Sequence, residues 1–334
     1  MVNMADVAEE AGVSTATVSH VINETRFVRE ETKQKVYRAM GKLNYHPNSA
    51  ARSLRSQRSN TIGFIAPDIS NPFYMSLIKG VENYLRAQGY NFLVSNSDDS
   101  LEIERNQLKI FNAQLIDGLI MRATFEDHSF LNDYIEDIPT VFIDCKPSNY
   151  RGGDSVLVEN KQGAYQAVDL FLRSEHEKIG MIAGIPELTS TEERISGYIQ
   201  ALKEHQITVD RSLIKTGNSR ADSGYKLARE LVDNHGITAI FAGNNLITIG
   251  ALKYLKEHQL QVPGDIAIIG FDDREWFSIT SPSLTSIRQP AYKMGTRAAE
   301  ILIERIKNKN QEQYREYRLP VELIERESHF YRGD

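Results

Sequence analysis

The sequence predicts a small all-α helix-turn-helix unit followed by a much larger α/β body built as two lobes. Three features of the 334 residues carry this expectation. Met4 to Asn23 reads as two short helices around a glycine turn. From Thr61 onward, short apolar runs alternate with longer helical stretches. That alternation comes in two series, as two separate parallel sheets with helices on both faces would require.

In MADVAEEAGVSTATVSHVIN, Val7, Ala8 and Ala11 give the first helix an apolar side, Gly12 supplies the turn and Ser14 is placed to cap the second helix. At about 100° per residue, Val18 and Val21 point one way, while Thr15, Ala16, Ser19 and His20 gather on the other side. Such a face is small, polar and mostly uncharged. It suits a DNA major groove, where hydroxyl and imidazole groups reach base edges and a methyl group packs on thymine. A third helix is expected from about Glu31 to Asn44, with Val36, Met40 and Leu43 covering the first two. Asn48 to Ser56, NSAARSLRS, favours helix by composition but is too short to be stable alone in water, so it is expected to order only when docked.

The body opens with the strand TIGFIA. Asn71-Pro72 then starts a helix whose Tyr74, Ile78, Val81 and Leu85 form a stripe ending near Gly89. NFLVSN, DGLIMR and PTVFIDC are further strands, with a helix from Leu101 to Ala113 among them; KIGMIAG, TAIFAG and DIAIIGF form the second series. Helices are expected there through Glu193 to His205, near Ile247 to His258, and from Ala291 to Ile306. Ligands of open parallel sheets bind beyond the carboxyl ends of the strands. The residues there are polar: Asp68, Ser70 and Asn71 follow the first run, Asp144 another, then Asn244-Asn245 and Asp272-Asp273. Carboxylates and amides exchange hydrogen bonds with vicinal hydroxyls, Arg194 can hold two neighbouring oxygens, and Phe73, Tyr74 and Trp276 can stack on a sugar's apolar face. Asn or Asp after a strand is equally a cap for the next helix.

Net charge is −6, yet residues 1–58 hold nine Lys and Arg against six Asp and Glu, so a basic headpiece precedes an acidic body. That split permits local phosphate binding while the body is repelled. No early apolar run resembles a secretion signal and no stretch of about 18 apolar residues spans a bilayer, so a cytoplasmic protein without membrane contact is expected. The single Cys145 excludes an internal disulfide and reads as a buried small hydrophobe. GxSxG, HExxH, paired CxxC and P-loop patterns are all missing, so catalysis, cofactor and metal are not expected.

DVAEEAGVSTATVSHVIN, TRFVREETKQKV and LNYHPNSAARSL together resemble the DNA-binding headpiece of the lac/gal repressor family, and STATVSHVINETRFV is most similar to its purine repressor branch. NPFY, DGLI, GFDD and PSLTSIRQP follow in the family's order and spacing, so the resemblance covers the whole chain. It implies a helix-turn-helix domain at 1–46, a hinge helix at 47–58 and a periplasmic-binding-protein-like ligand-binding and dimerisation domain at 60–331. The lobes of that domain are expected at about 60–158 plus 288–316 and about 159–287 plus 317–331. By resemblance the DNA contacts are Ser14, Thr15, Ala16, Thr17, Ser19, His20 and Asn23, with Arg52 and Arg55 in the hinge and Leu54 wedged into the minor groove. Asp144, Arg194, Asn244 and Asp272 match family positions that contact effector, joined as candidates by Asp68, Phe73, Tyr74 and Trp276.

The purine branch's arginine and aromatic positions near this site correspond to Leu188 and Ser219, which favours a sugar, sugar phosphate or sugar acid over a flat purine. The expectation is therefore a homodimeric regulator, most simply a repressor of carbohydrate-use genes, that binds a pseudo-palindromic double-stranded operator under control of an effector. A purine corepressor, control by a protein partner as in catabolite control, and a solute-binding receptor are the alternatives. The stripe Tyr74, Ile78, Val81, Leu85 is a candidate dimer seam, and burial within its own lobe would explain it equally.

Overall fold

The computed structural model describes residues 2–23, 26–45, 59–124, 127–150, 152–308 and 313–330, in two compact units divided after Ser59. The hinge residues Arg52, Leu54 and Arg55 lie outside the described residues.

The first unit holds α1 (Met4–Ala11), α2 (Thr15–Asn23) and α3 (Glu30–Lys42). Asn3 caps α1 in a capping box, its side chain accepting from the Ala5 and Asp6 amides while Asp6 accepts from the Asn3 amide. Gly12 ends α1 at φ 64°, a left-handed turn that a side chain would resist. Val7, Ala8, Val18, Val21, Val36 and Ala39 close the small core. α3 starts and stops slightly earlier than the pattern suggests. Ala39 fills the position between turns, while Met40 and Leu43 are only partly buried.

The second unit contains two six-stranded sheets. The first lobe's sheet runs β11 (Glu316–Leu319), β5 (Asp154–Val158), β4 (Thr140–Ile143), β3 (Gly118–Met121), β1 (Thr61–Ala66), β2 (Asn91–Asn96), all parallel. In the second lobe the order is β12 (Glu322–Ile324), β10 (Thr285–Arg288), β9 (Ala267–Phe271), β8 (Ala239–Ala242), β6 (Ile179–Ile182), β7 (Ile214–Lys215). Only β12 is antiparallel to its neighbour.

Each sheet is covered on both faces. In the first lobe α4 (Pro72–Ala87) and α11 (Ala291–Lys307) bury one face, and α5 (Leu101–Ala113) with the short α6 (Asn132–Ile135) bury the other. In the second, α7 (Asn160–Arg173) and α8 (Thr189–Glu204) oppose α9 (Ala221–His235) and α10 (Asn245–Glu257). Fully buried strands explain why these runs read as continuous apolar stretches without alternation.

Of the two readings of the stripe on α4, burial within its own lobe describes it: Tyr74, Val81 and Leu85 are buried in the first lobe's core, with Ile78 packed against it, because α4 lies directly on α11. The lobe limits shift. Arg288 still pairs within the second sheet, and β11 continues through Leu319 in the first, so the chain crosses at Gln289-Pro290 and again at Pro320-Val321.

Candidate functional site

A polar cavity lies where the carboxyl ends of the two sheets face each other. From the first lobe, Pro67 and Asp68 follow β1, Arg122 follows β3 and Asp144 follows β4; from the second, Ala183 follows β6, Asn244 follows β8, Asp272 follows β9 and Gln289 follows β10. Phe73 and Tyr74 from α4, Asp99 after β2, Leu188, Ser190, Thr191 and Arg194 around α8, and Ser219 and Arg220 before α9 also line the cavity. The lobes touch around it. Asn245 Nδ2 donates to Asn71 Oδ1 at 2.9 Å, Arg220 pairs with Asp98 at 2.5 Å, Arg274 donates to the Pro72 carbonyl at 3.3 Å, and Cys145 Sγ meets Ser190 Oγ at 3.1 Å.

Asp144 and Asp272 hold equivalent places, each after the third strand of its sheet and each in the left-handed backbone region, at φ 69° and 70°. Asp144 accepts from the Tyr74 hydroxyl at 3.0 Å and lies 3.9 Å from Arg122 Nε. Burial pushes the Asp144 pKa up, opposed by the charges of Arg122 and Arg194. The Tyr74 hydroxyl is pushed well up too, by burial and then by Asp144. Asp272 accepts from Gln289 Nε2. Its neighbour Asp273 points away, bound by Ser286, Arg288 and Arg326 at 2.7 to 2.9 Å, as expected for adjacent residues of which one is structural.

Arg194 is buried and stacked on Phe271 at 3.9 Å, with Nε donating to Asn160 Oδ1 at 2.9 Å and Nη1 to the Gly243 carbonyl at 2.6 Å. Much of its fork is thus committed to the protein, and only the outer end of the guanidinium remains for a ligand.

Of the sequence candidates, Asp68, Phe73, Tyr74, Asp144, Arg194, Asn244 and Asp272 all line the cavity. Asn244 also caps α10, accepting from the Ile247 amide at 2.7 Å and donating to the Ser219 carbonyl at 2.9 Å. Asp68 accepts from the Ser70 amide and hydroxyl. Trp276 is corrected: it packs edge-on against Phe277 and lines a separate surface recess with Pro72, Ser76 and Arg274, because Phe277 takes the core position of their short 3-10 turn and Trp276 only covers that core. Sequence reading passed over Arg122, Asp99 and Gln289. The rule that located Asp144 would have found Arg122 and Gln289, since each directly follows a strand.

In the first unit, Thr15 and Ala16 are exposed on α2, and Thr17, Ser19, His20 and Asn23 are partly so. Ser14 acts as the cap, accepting from the Thr17 amide at 3.0 Å with its hydroxyl against that of Thr17 at 2.9 Å. Asn23 donates back to the Ser19 carbonyl at 2.8 Å.

Residues 3–48 match the model of bacterial regulatory proteins of the lacI family, and residues 168–329 match a periplasmic binding protein-like domain. The HTH-type transcriptional repressor PurR of Vibrio atlanticus (strain LGP32) is 36% identical over 329 residues, covering 98% of both chains. The chain belongs to the lacI family of bacterial regulatory proteins. It is also similar to the lac repressor dimer bound to operator and the anti-inducer ONPF, at TM-score 0.85 and 27% identity over 98% of this chain and 99% of that one. The transcriptional regulator CelR in complex with cellobiose matches at TM-score 0.74 and 29% identity, over 98% of this chain and 100% of that one. This lacI-family member is a DNA-binding transcriptional repressor and not an enzyme. Among the described residues no helix is long and apolar enough to cross a membrane.

Proposed function

We propose that the protein is a homodimeric repressor whose operator affinity is set by a small polyhydroxylated effector, a sugar, sugar phosphate or sugar acid, held between the lobes. The observation that carries this reading is the make-up of the cavity wall. Carboxylate, amide and guanidinium groups from both lobes line it, most of them at strand ends, with Phe73 and Tyr74 beside them. Hydroxyls on neighbouring carbons can bond such groups from both sides at once, and an aromatic ring can cover the apolar face of a pyranose. At the two positions where the purine branch carries an arginine and an aromatic ring, this wall has the apolar Leu188 and the small Ser219.

The effector acts by binding one arrangement of the lobes better than another. Contacts such as Asn71 to Asn245 and Arg220 to Asp98 exist only while the lobes are together. In the dimer, a change of lobe arrangement alters the spacing of the paired hinges and headpieces on a pseudo-palindromic operator. Thr15, Ala16, Ser19 and His20 are the side chains that read bases from α2. Ser14, Thr17 and Asn23 chiefly shape that helix, and Arg52, Leu54 and Arg55 act from the hinge.

A purine corepressor is the second reading, favoured by the 36% identity to PurR and by the ring pair Phe73 and Tyr74. Fluorescence anisotropy on an operator with a central CG step, at fixed salt, separates the two. A shift of affinity by sugars or their derivatives is the expected result, and its direction tells inducer from corepressor. A response confined to purines would overturn the carbohydrate reading.

A further inference from the structure

We infer that Arg122 is a specificity-determining effector contact: with Asp144 it selects a ligand hydroxyl that donates and accepts at once, so that this end of the effector is uncharged. This rests on the polyhydroxylated-effector reading and narrows it, since a sugar acid or phosphate ester placing its anion here is excluded.

Arg122 is 4% exposed and lines the cavity. Its Nη1 donates to Asp99 Oδ1 at 2.6 Å, but its Nε is buried with no hydrogen-bond partner. The carboxylate oxygen Asp144 Oδ2 is 3.9 Å away, beyond hydrogen-bond reach. A buried donor of a charged group without an acceptor is costly, and here the missing acceptor can come from the cavity. An oxygen at about 2.7 to 2.9 Å from both groups would span that gap with an angle of about 90° at the ligand atom.

The chemistry of that oxygen follows from its two neighbours. Arg122 Nε only donates, so the ligand atom must accept. Asp144 Oδ2 already accepts from the Tyr74 hydroxyl, so the ligand must also donate to it. A hydroxyl does both. A carboxylate or phosphate accepts from Arg122 but sets its charge against Asp144, and an ammonium cannot accept at all.

The wider wall agrees. Asp68, Asp99, Asp144 and Asp272 face Arg122, Arg194 and Arg220, so the charged lining is already one negative charge in excess before an anion enters. On the opposite side, Gln289 Oε1 is also buried without a partner, an acceptor that calls for another ligand hydroxyl.

The test is isothermal titration calorimetry of the full-length protein with matched sets: neutral aldoses, the uronic and aldonic acids and the phosphate esters derived from them, and free purines. The wild type is compared with Arg122→Met and Asp144→Asn, and melting curves and operator binding check that each variant folds. The expected result is a neutral sugar bound at least about tenfold more tightly than its acid or phosphate. Arg122→Met should weaken it about 10- to 100-fold with operator binding kept. Asp144→Asn, whose amide can donate to an anion, should narrow the neutral-to-acid ratio by about tenfold, and it serves if Arg122→Met fails to fold. Neutral-sugar binding within threefold of wild type in Arg122→Met, or an acid bound more tightly than its parent sugar by wild type, overturns the role of Arg122 alone. Binding by purines only, or by no hydroxylated compound, overturns the effector reading itself.

Discussion

Replacing Arg194 with methionine is expected to damage the body as well as the ligand response. The side chain is 6% exposed and ties three elements together: Asn160 at the start of α7, Gly243 at the end of β8, and the Phe271 ring on β9. Methionine fills much of the space but leaves the Asn160 Oδ1 and the Gly243 carbonyl, both in buried residues, without this donor. Two hydrogen bonds from a charged donor contribute about 1.5 to 3 kcal/mol each, and the stacking about 1 kcal/mol more. Relief of the buried charge's desolvation offsets part of that sum, leaving a net loss of about 3 kcal/mol.

For a body of this size each kcal/mol lowers the melting temperature by about 2 to 4 °C, so Arg194→Met should melt roughly 6 to 12 °C below wild type. Differential scanning calorimetry of the full-length protein measures this directly. Operator binding by anisotropy at a temperature below both melts should be retained, with the effector response lost. A melt within about 1 °C of wild type would contradict this structural role. It would mean that Asn160 and Gly243 find other partners and that Arg194 is held in place for the ligand alone.

Three further outcomes follow from the packing and the titrating groups. Gly295 on α11 lies so close to α4 that an added methyl would meet the Leu77 carbonyl at 2.0 Å, so Gly295→Ala should part the helices and cost about 1 to 3 kcal/mol in urea unfolding; an unchanged midpoint would count against so close a crossing. Ser14→Ala removes the cap of α2 and should destabilise that helix by about 1 kcal/mol, weakening operator binding while the body's melting transition stays put. His176 and His329 both have pKa values below the usual 6.5, chiefly because burial disfavours the charged ring. The unfolded chain therefore binds more protons just below pH 6.5, so the stability from keeping them neutral is full above that pH and is lost as pH falls towards the folded values. The melting temperature should drop between pH 7 and pH 5, and less steeply in His329→Gln; parallel slopes would contradict this.

The central strands and most helices were legible because a parallel sheet covered on both faces turns an inner strand into an apolar run, such as TIGFIA or IIGF. By contrast, β7, β11 and β12 are short and only partly buried and β5 and β10 carry polar residues, so none of these five was read as a strand. α7 and α9 were harder to see. Their small buried residues, Gly163, Ala164, Ala167, Gly224 and Ala228, weaken the apolar stripe: Gly163 lies against Ile287 and Phe271 of the sheet, Ala164 against Gly197 of α8, and Gly224 against the α10 backbone at Ile247. The carboxyl-end rule found Asp144 and Asp272 but was applied to acids and amides, so Arg122 at the end of β3 was read as part of its strand. Trp276 was misread because a lone large ring next to a site residue says nothing about which way a short turn faces.

The two lobes share more than a fold class. Strands β4 and β9 stand third in their sheets, and each ends in an aspartate held at a φ near 70°. A left-handed conformation costs an ordinary L-residue roughly 1 to 2 kcal/mol, and aspartate is among the few that adopt it readily. A glycine would relieve the backbone at both places but bring no carboxylate, so conformation and chemistry together point to aspartate there. The supports of the two differ. Asp144 is backed by Tyr74 from α4, within one lobe, whereas Asp272 is backed by Gln289 on the segment that crosses from β10 to α11. A ligand bonded to both aspartates would therefore bear on a helix of the first lobe through one and on the crossing segment through the other. That asymmetry gives a small molecule purchase on the arrangement of the two lobes.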